Sequence, residues 1–288
     1  MSLFESVEQA RELLSGTGYL VDESLATTVF LGDALGKPIL LEGPAGTGKT
    51  ELAKAVAACT GAELIRLQCY EGLDEARALY EWNYRKQLLR IQAGTESAWD
   101  ELQEDIFSEE FLLARPLLKA IRSHNAVVLL IDETDKADVE VEGLLLEVLS
   151  EFQVTIPELG TIQASQQPFV VLTSNATREL SEALKRRCLY AHIDYPDSKR
   201  EIAIIRSRVP EILETLAESI VKTVNAMRAM DLRKPPSVAE SIDWAKALQA
   251  LGISELSDIA VGQTLGTVIK HNVDESKVRD NLNIRVHP

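Results

Sequence analysis

The stretch ILLEGPAGTGKTELAKAVAA, residues 39–58, runs a strand-like apolar segment through a glycine-rich turn into an alanine-rich helix. Four residues separate Gly43 from Gly48, and Lys49 and Thr50 follow at once, which is the G-x-x-x-x-G-K-[ST] spacing of a phosphate-binding loop. Glycines let the backbone wrap so that successive N–H groups point inward, and a helix beginning near Lys49 adds its positive end. On this reading Gly43, Pro44, Ala45, Gly46, Thr47, Gly48, Lys49, Thr50 and Glu51 form the nucleotide-binding segment. Lys49, expected to be exposed, reaches the β- and γ-phosphates, and the Thr50 hydroxyl sits on Mg²⁺. The competing reading is a glycine turn with a meaningless lysine. The strand before it and the helix after it favour the loop.

Downstream, AELIRLQC alternates as a strand, so the order is strand, loop, helix, strand. Such alternation predicts an α/β fold, a parallel sheet flanked by helices with its ligand at the carboxyl ends of the strands. Helical spacing is also present over 5–15 and 23–35. Residues 71–122 are charged and helix-forming, broken at the polar AGTESAWD, and look like an insertion of helices. Tyr70, Tyr80, Trp82 and Tyr84 within or beside it are expected to pack, although they could also stack on bases or line a pore. A hairpin is predicted from Phe152–Ile156 and Thr161–Ala164, turning at Glu158–Gly160, and YAHIDYP is the last strand. From Asp197 onward the spacing is helical throughout. The predicted domains are therefore 1–196, α/β and nucleotide-binding, and 197–288, a small helical lid.

The run VVLLIDE, Val127 to Glu133, is a buried strand delivering two acids at its carboxyl end. Beside bound nucleotide, Asp132 would hold the Mg²⁺ through water and Glu133 would orient and deprotonate the attacking water. A third strand, FVVLTSN, ends in Asn175. That side chain would lie beside the γ-phosphate if its strand sits between the other two.

Composition narrows the field. A net charge of −15 argues against nucleic acid as a partner over most of the surface, with LKRRC, Leu184 to Cys188, as a local basic exception. No apolar run is long enough to span a bilayer and the N-terminus has no signal-peptide pattern, so a cytoplasmic location is expected. Cys59, Cys69 and Cys188 have no metal-ligand spacing and are expected to be reduced; His124, His192, His271 and His287 form no ligand pair.

In order and spacing these motifs resemble an AAA+ ATPase: the phosphate loop (Walker A), VVLLIDE (Walker B), the hairpin before the TSN strand (sensor 1) and the basic cluster after it. Within that superfamily the chain resembles the MoxR branch. CYEGLDEARALYEWNYRKQLL and PPSVAESIDWAKAL are similar to MoxR-type ATPases encoded beside carbon monoxide dehydrogenase genes. The resemblance implies ATP and Mg²⁺ as ligands and a homo-oligomeric ring, a hexamer. In such a ring an arginine finger acts on a neighbour's nucleotide, Arg186 being the better fit and Arg187 the alternate. It also implies a protein client, reached through a von Willebrand factor A domain protein and receiving a metal cofactor. One departure stands out: the sensor-2 arginine of AAA+ lids would fall at Val238–Glu240, where nothing is basic, and Arg233 and Lys234 lie before the prolines. Two other classes share parts of the pattern: a nucleic-acid-directed motor or clamp loader, and a small-molecule kinase, which needs neither lid nor arginine in trans.

Overall fold

The structure is a computed structural model. It describes residues 2–93 and 105–282; the polar break expected at 93–100 falls, from Gly94 on, outside that range, as does His287. The chain forms two compact units, one from Met1–Thr17, Val21–Glu42 and Thr50–His192, the other from Gly18–Leu20, Gly43–Lys49 and Ile193–Pro288.

In the first unit the strands are β1 (Ile39–Glu42), β2 (Glu63–Gln68), β3 (Tyr80–Trp82), β4 (Leu112–Ala114), β5 (Val127–Asp132), β6 (Gln153–Ile156), β7 (Gly160–Gln163), β8 (Phe169–Ser174) and β9 (Leu189–His192). Five of them make one parallel sheet in the order β2-β5-β8-β1-β9. β5 and β8 are buried at every position, as continuous apolar runs require when a parallel sheet is covered on both faces. β8 pairs with β5 on one side and β1 on the other, which meets the strand order set out above for Asn175.

Helices flank the sheet, and their polar ends have local partners. Ser6 caps Val7–Gly16 by accepting from the Gln9 N–H, and Asp22 caps Glu23–Leu35 by accepting from Leu25. Lys49–Thr60 follows the loop and Val139–Glu151 follows β5. Leu117, Leu118 and Ile121, from Pro116–Arg122, join Leu129, Ile131, Leu145 and Leu172 in the main core.

The segment read as an all-helical insertion also holds two strands: β3 and β4 pair antiparallel, with Trp82 opposite Leu112. Three residues a side are too few to show a period of two. Trp82 is buried and edge-on to Phe107 (5.3 Å between centroids) and Tyr80 (6.4 Å), so these rings pack, while Tyr70 and Tyr84 are exposed. β6 and β7 form the expected hairpin, shifted by one residue at its edges.

In the second unit the described residues after Ile193 form helices Ser198–Arg208, Glu214–Arg228, Val238–Ala250, Asp258–Val268 and Asn272–Asn281. Their core surrounds the fully buried Trp244, whose indole N–H donates to Thr264 Oγ1 at 2.7 Å. Beside it lies a buried ion pair, Arg228 Nη1 and Nη2 to the two Glu201 oxygens at 2.6 and 2.9 Å, with Ser241 donating to Glu201 at 2.7 Å. Arg228 also donates to the Pro236 carbonyl and lies over the Tyr195 ring. It thereby ties two helices to the turn before Val238.

Candidate functional site

In the second unit, the loop Gly43–Lys49 has positive φ at Gly43, Gly46 and Gly48. A Cβ on Gly43 would overlap the Ile193 carbonyl oxygen, and one on Gly46 would overlap the Ser237 side chain. Both positions therefore need glycine for space as well as for backbone angle. Lys49 differs from the sequence expectation: it is only 5% exposed, its ammonium donating to the carbonyls of Gly43 (2.8 Å) and Pro44 (2.6 Å). The loop folds around its own lysine. Thr47 Oγ1 donates to Pro44 O, and Ala45 is exposed.

Ser237 and Glu240 form a capping box at the start of Val238–Ala250, so the loop at Gly46 meets a neutral hydroxyl cap where sensor 2 was sought. Lys234 pairs with Glu240 at 3.2 Å, and the Arg233 side chain is exposed.

In the first unit, the acids at the end of β5 lie among side chains from β2, β8 and the helix that follows the loop. Thr50 donates to Asp132 Oδ1 at 2.9 Å and Thr173, on β8, donates to the same oxygen at 2.6 Å. Arg66, on β2, reaches Asp132 Oδ2 at 2.5 Å. Glu133 has a left-handed backbone, φ 56° and ψ 48°, an uncommon conformation for a residue with a side chain. Its N–H donates to Thr173 Oγ1 at 2.9 Å. Its carboxylate accepts from Gln68 Nε2 (3.0 Å) and Lys136 Nζ (2.6 Å). Glu51, the last residue of the predicted binding segment, pairs with Lys54 at 2.6 Å.

Asp135 fixes the turn after β8. It accepts from the N–H groups of Asn175 and Thr177, both at 3.1 Å, and from the Thr177 hydroxyl at 2.5 Å. Burial pushes its carboxyl up, but these hydrogen bonds outweigh it and hold the group below the ordinary aspartate value. Burial first, and then the negative charges of Asp132, Asp135 and Glu133, push the Cys69 thiol up to about 12.

The donor set suits a hard divalent cation. Thr50 gives its proton to Asp132 and keeps oxygen lone pairs, and Asp132 adds a carboxylate in an acidic setting. No cluster of three or more His, Cys, Asp or Glu suited to a metal occurs among the described residues. Mg²⁺ needs none, since it is held by one or two protein oxygens together with phosphates.

The two candidate fingers differ. Arg187 donates to Ser150 Oγ at 2.6 Å and to the Ala183 carbonyl at 3.1 Å. Arg186 is exposed and has no hydrogen bond or ion pair among the described residues.

Residues 38–188 match the family model described as AAA domain (dynein-related subfamily), more than half of the chain. The chain belongs to that AAA family. AAA domains are in general nucleotide-binding nucleotide hydrolases, and family members usually form oligomeric rings. An uncharacterized protein of Staphylococcus haemolyticus is 28% identical over 245 residues, 83% of this chain and 84% of that one. Another, from Staphylococcus aureus, is 28% identical over 220 residues, covering 74% and 76%. Among solved structures, a variant of Thermotoga maritima RuvB matches 92% of this chain and 72% of its own at 19% identity, with a TM-score of 0.52. That likeness speaks to the fold, the P-loop AAA+ fold. No described helix of this AAA domain is long and apolar enough to cross a membrane.

Sequence reading missed Arg66, Gln68, Thr173, Asp135 and Lys136. Only Arg66 and Gln68 left a trace, as two long polar side chains alternating with Ile65 and Leu67 at the carboxyl end of β2.

Proposed function

We propose that this AAA domain is a Mg²⁺-dependent ATPase of the MoxR type, working as a homo-oligomeric hexameric ring that remodels a protein client. The observation carrying this reading is the Thr50–Asp132–Thr173 cluster with Glu133 turned away from it on the next residue. One acid is fixed among hydroxyls for a metal, and the other is aimed elsewhere for a base.

Lys49 and the loop N–H groups bind the phosphates, and Thr50 and Asp132 hold Mg²⁺. The metal, when bound, neutralises charge on the β- and γ-phosphates. Glu133 takes the proton of the attacking water, and Asn175 orients that water through its amide. Gln68 and Lys136 both donate to Glu133 Oε2, so Oε1 is the oxygen that takes the proton. The freedom of Arg186 supports it as the group offered to a neighbouring subunit's nucleotide, with Arg187 held inside its own.

The client reading extends to insertion of a metal cofactor into an enzyme, with a von Willebrand factor A domain protein as adaptor. It rests on the resemblance of residues 69–89 and 235–248 to MoxR-type ATPases. A nucleic-acid-directed motor is disfavoured by the net charge of −15, and the RuvB likeness concerns fold alone. The test is Glu133→Gln. It should bind ATP, turn over more slowly by about 10² or more, and retain an adaptor and client in ATP that the wild type releases. Unchanged turnover would remove Glu133 as the base. Retention of nucleic acid instead of protein would overturn the client reading.

A further inference from the structure

Both oxygens of the Asp132 carboxylate are engaged, and by different kinds of group. Oδ1 accepts from two neutral hydroxyls, Thr50 at 2.9 Å and Thr173 at 2.6 Å. Oδ2 accepts from a cation, Arg66 Nη2, at 2.5 Å. The hydroxyls fix the carboxylate, whose side chain is 4% exposed, so that Oδ2 has one direction in which to receive positive charge. Arg66 lies in that direction. The same Nη2 donates to Gln68 Oε1, and Gln68 Nε2 donates to Glu133. Gln68 is in register with Asp132 across β2 and β5, so two residues on one face of β2 hold both acids at the end of β5.

We propose that Arg66 is a cationic latch on the metal site: its guanidinium occupies the acceptor that a divalent cation needs, and metal is held at Asp132 only after Arg66 has swung away. The inference rests on the reading of Asp132 as the metal-holding acid. A guanidinium carries donors only, so it offers the metal no ligand, and its positive charge opposes a second cation at the same carboxylate oxygen. Two cations at one carboxylate oxygen repel, and the mobile one leaves. Arg66 can leave because its side chain is half exposed (50%) and sits on a strand at the edge of the sheet. Asp132 cannot follow it, being held by both hydroxyls.

The latch lowers apparent metal affinity by the fraction of molecules in which Oδ2 is free. Half-exposed pairs of this kind are weak, which sets the expected factor at about two- to fivefold.

The test uses the full chain and a fluorescent, non-hydrolysable ATP analogue, with binding read by anisotropy as Mg²⁺ is titrated, and again in EDTA. Arg66→Gln and Arg66→Met remove the charge through different side chains, and Arg66→Lys keeps it; thermal melts identify any variant that fails to fold. The midpoint in Mg²⁺ should fall about two- to fivefold in the two neutral variants and stay near wild type in Arg66→Lys, with binding in EDTA equal in all. A midpoint that is unchanged or higher in a folded neutral variant overturns the latch while leaving the ATPase reading intact. Wild-type protein that binds no analogue under either condition overturns both.

Discussion

The Thr173 hydroxyl donates to Asp132 Oδ1 at 2.6 Å and accepts the Glu133 N–H at 2.9 Å. A single group on β8 therefore aims one acid and closes the left-handed turn that aims the other. Thr173→Val keeps the shape and removes both bonds. It should cost about 1–3 kcal/mol in denaturant unfolding, the range for leaving a buried polar group unpaired, and weaken Mg²⁺-dependent nucleotide binding about 10- to 100-fold. Thr173→Ser should restore most of both. A valine variant with wild-type metal dependence would show that the hydroxyl positions nothing.

Lys49→Ala should abolish nucleotide binding, and the burial of this ammonium adds a second effect. The Gly43 and Pro44 carbonyls lose their donor, so unfolding should also become easier by about 1–3 kcal/mol. Nucleotide affinity by calorimetry and stability by denaturant melt separate the two. Undiminished ATP binding would remove the phosphate-loop assignment.

Asp135 makes the turn after β8 acid-sensitive. Its carboxyl is held below the ordinary aspartate value in the folded chain, so its stabilisation is complete above the ordinary aspartate range and is lost as pH falls through the lower folded value. Asp135→Asn should melt lower than wild type near neutrality, and the gap should close as the melts are taken down into acid. A gap that stays constant to the acid limit would mean that the charge on Asp135 is not what holds Asn175 and Thr177.

The Glu201–Arg228 pair is buried, 0% and 10% exposed by side chain, so removing one partner leaves the other's charge buried without its counter-ion. Arg228→Met should destabilise the helical unit by about 3–5 kcal/mol, and the double variant Glu201→Met with Arg228→Met should recover much of that. Thermal unfolding of the three variants checks this. A single variant as stable as wild type would show that the pair is not coupled.

The sheet was legible because β1, β5 and β8 each open on an unbroken apolar run and each leads into a signal with chemistry: glycines, paired acids, an asparagine. Arg66 and Gln68 were not, since alternation assigns a residue to a face of its strand but not to the neighbour across it. That neighbour follows from the order β2-β5-β8-β1-β9, which no local pattern contains. Thr173, near the end of FVVLTSN, was hidden for the same reason. Lys49 looked exposed because a lysine after glycines normally is; the acceptors that bury it are backbone carbonyls, which the sequence of side chains does not show.

Arg186, exposed and unengaged among the described residues, is the point at which chemistry and assembly are tested together. An arginine supplied in trans is worth about 10³ to 10⁵ in rate, yet adds nothing to nucleotide held by its own subunit. The deciding measurement is the ATPase rate of Arg186→Ala, of Lys49→Ala, and of the two mixed, across protein concentration. Each variant alone should be nearly inactive, with Arg186→Ala still binding ATP. The mixture should regain part of the wild-type rate, because intact fingers on Lys49→Ala subunits complete the intact sites of their neighbours, and the wild-type rate per subunit should rise with concentration. Full activity of both Arg186→Ala and Arg187→Ala, or a rate per subunit that holds constant down to a verified monomer, would contradict a ring whose sites are finished between chains.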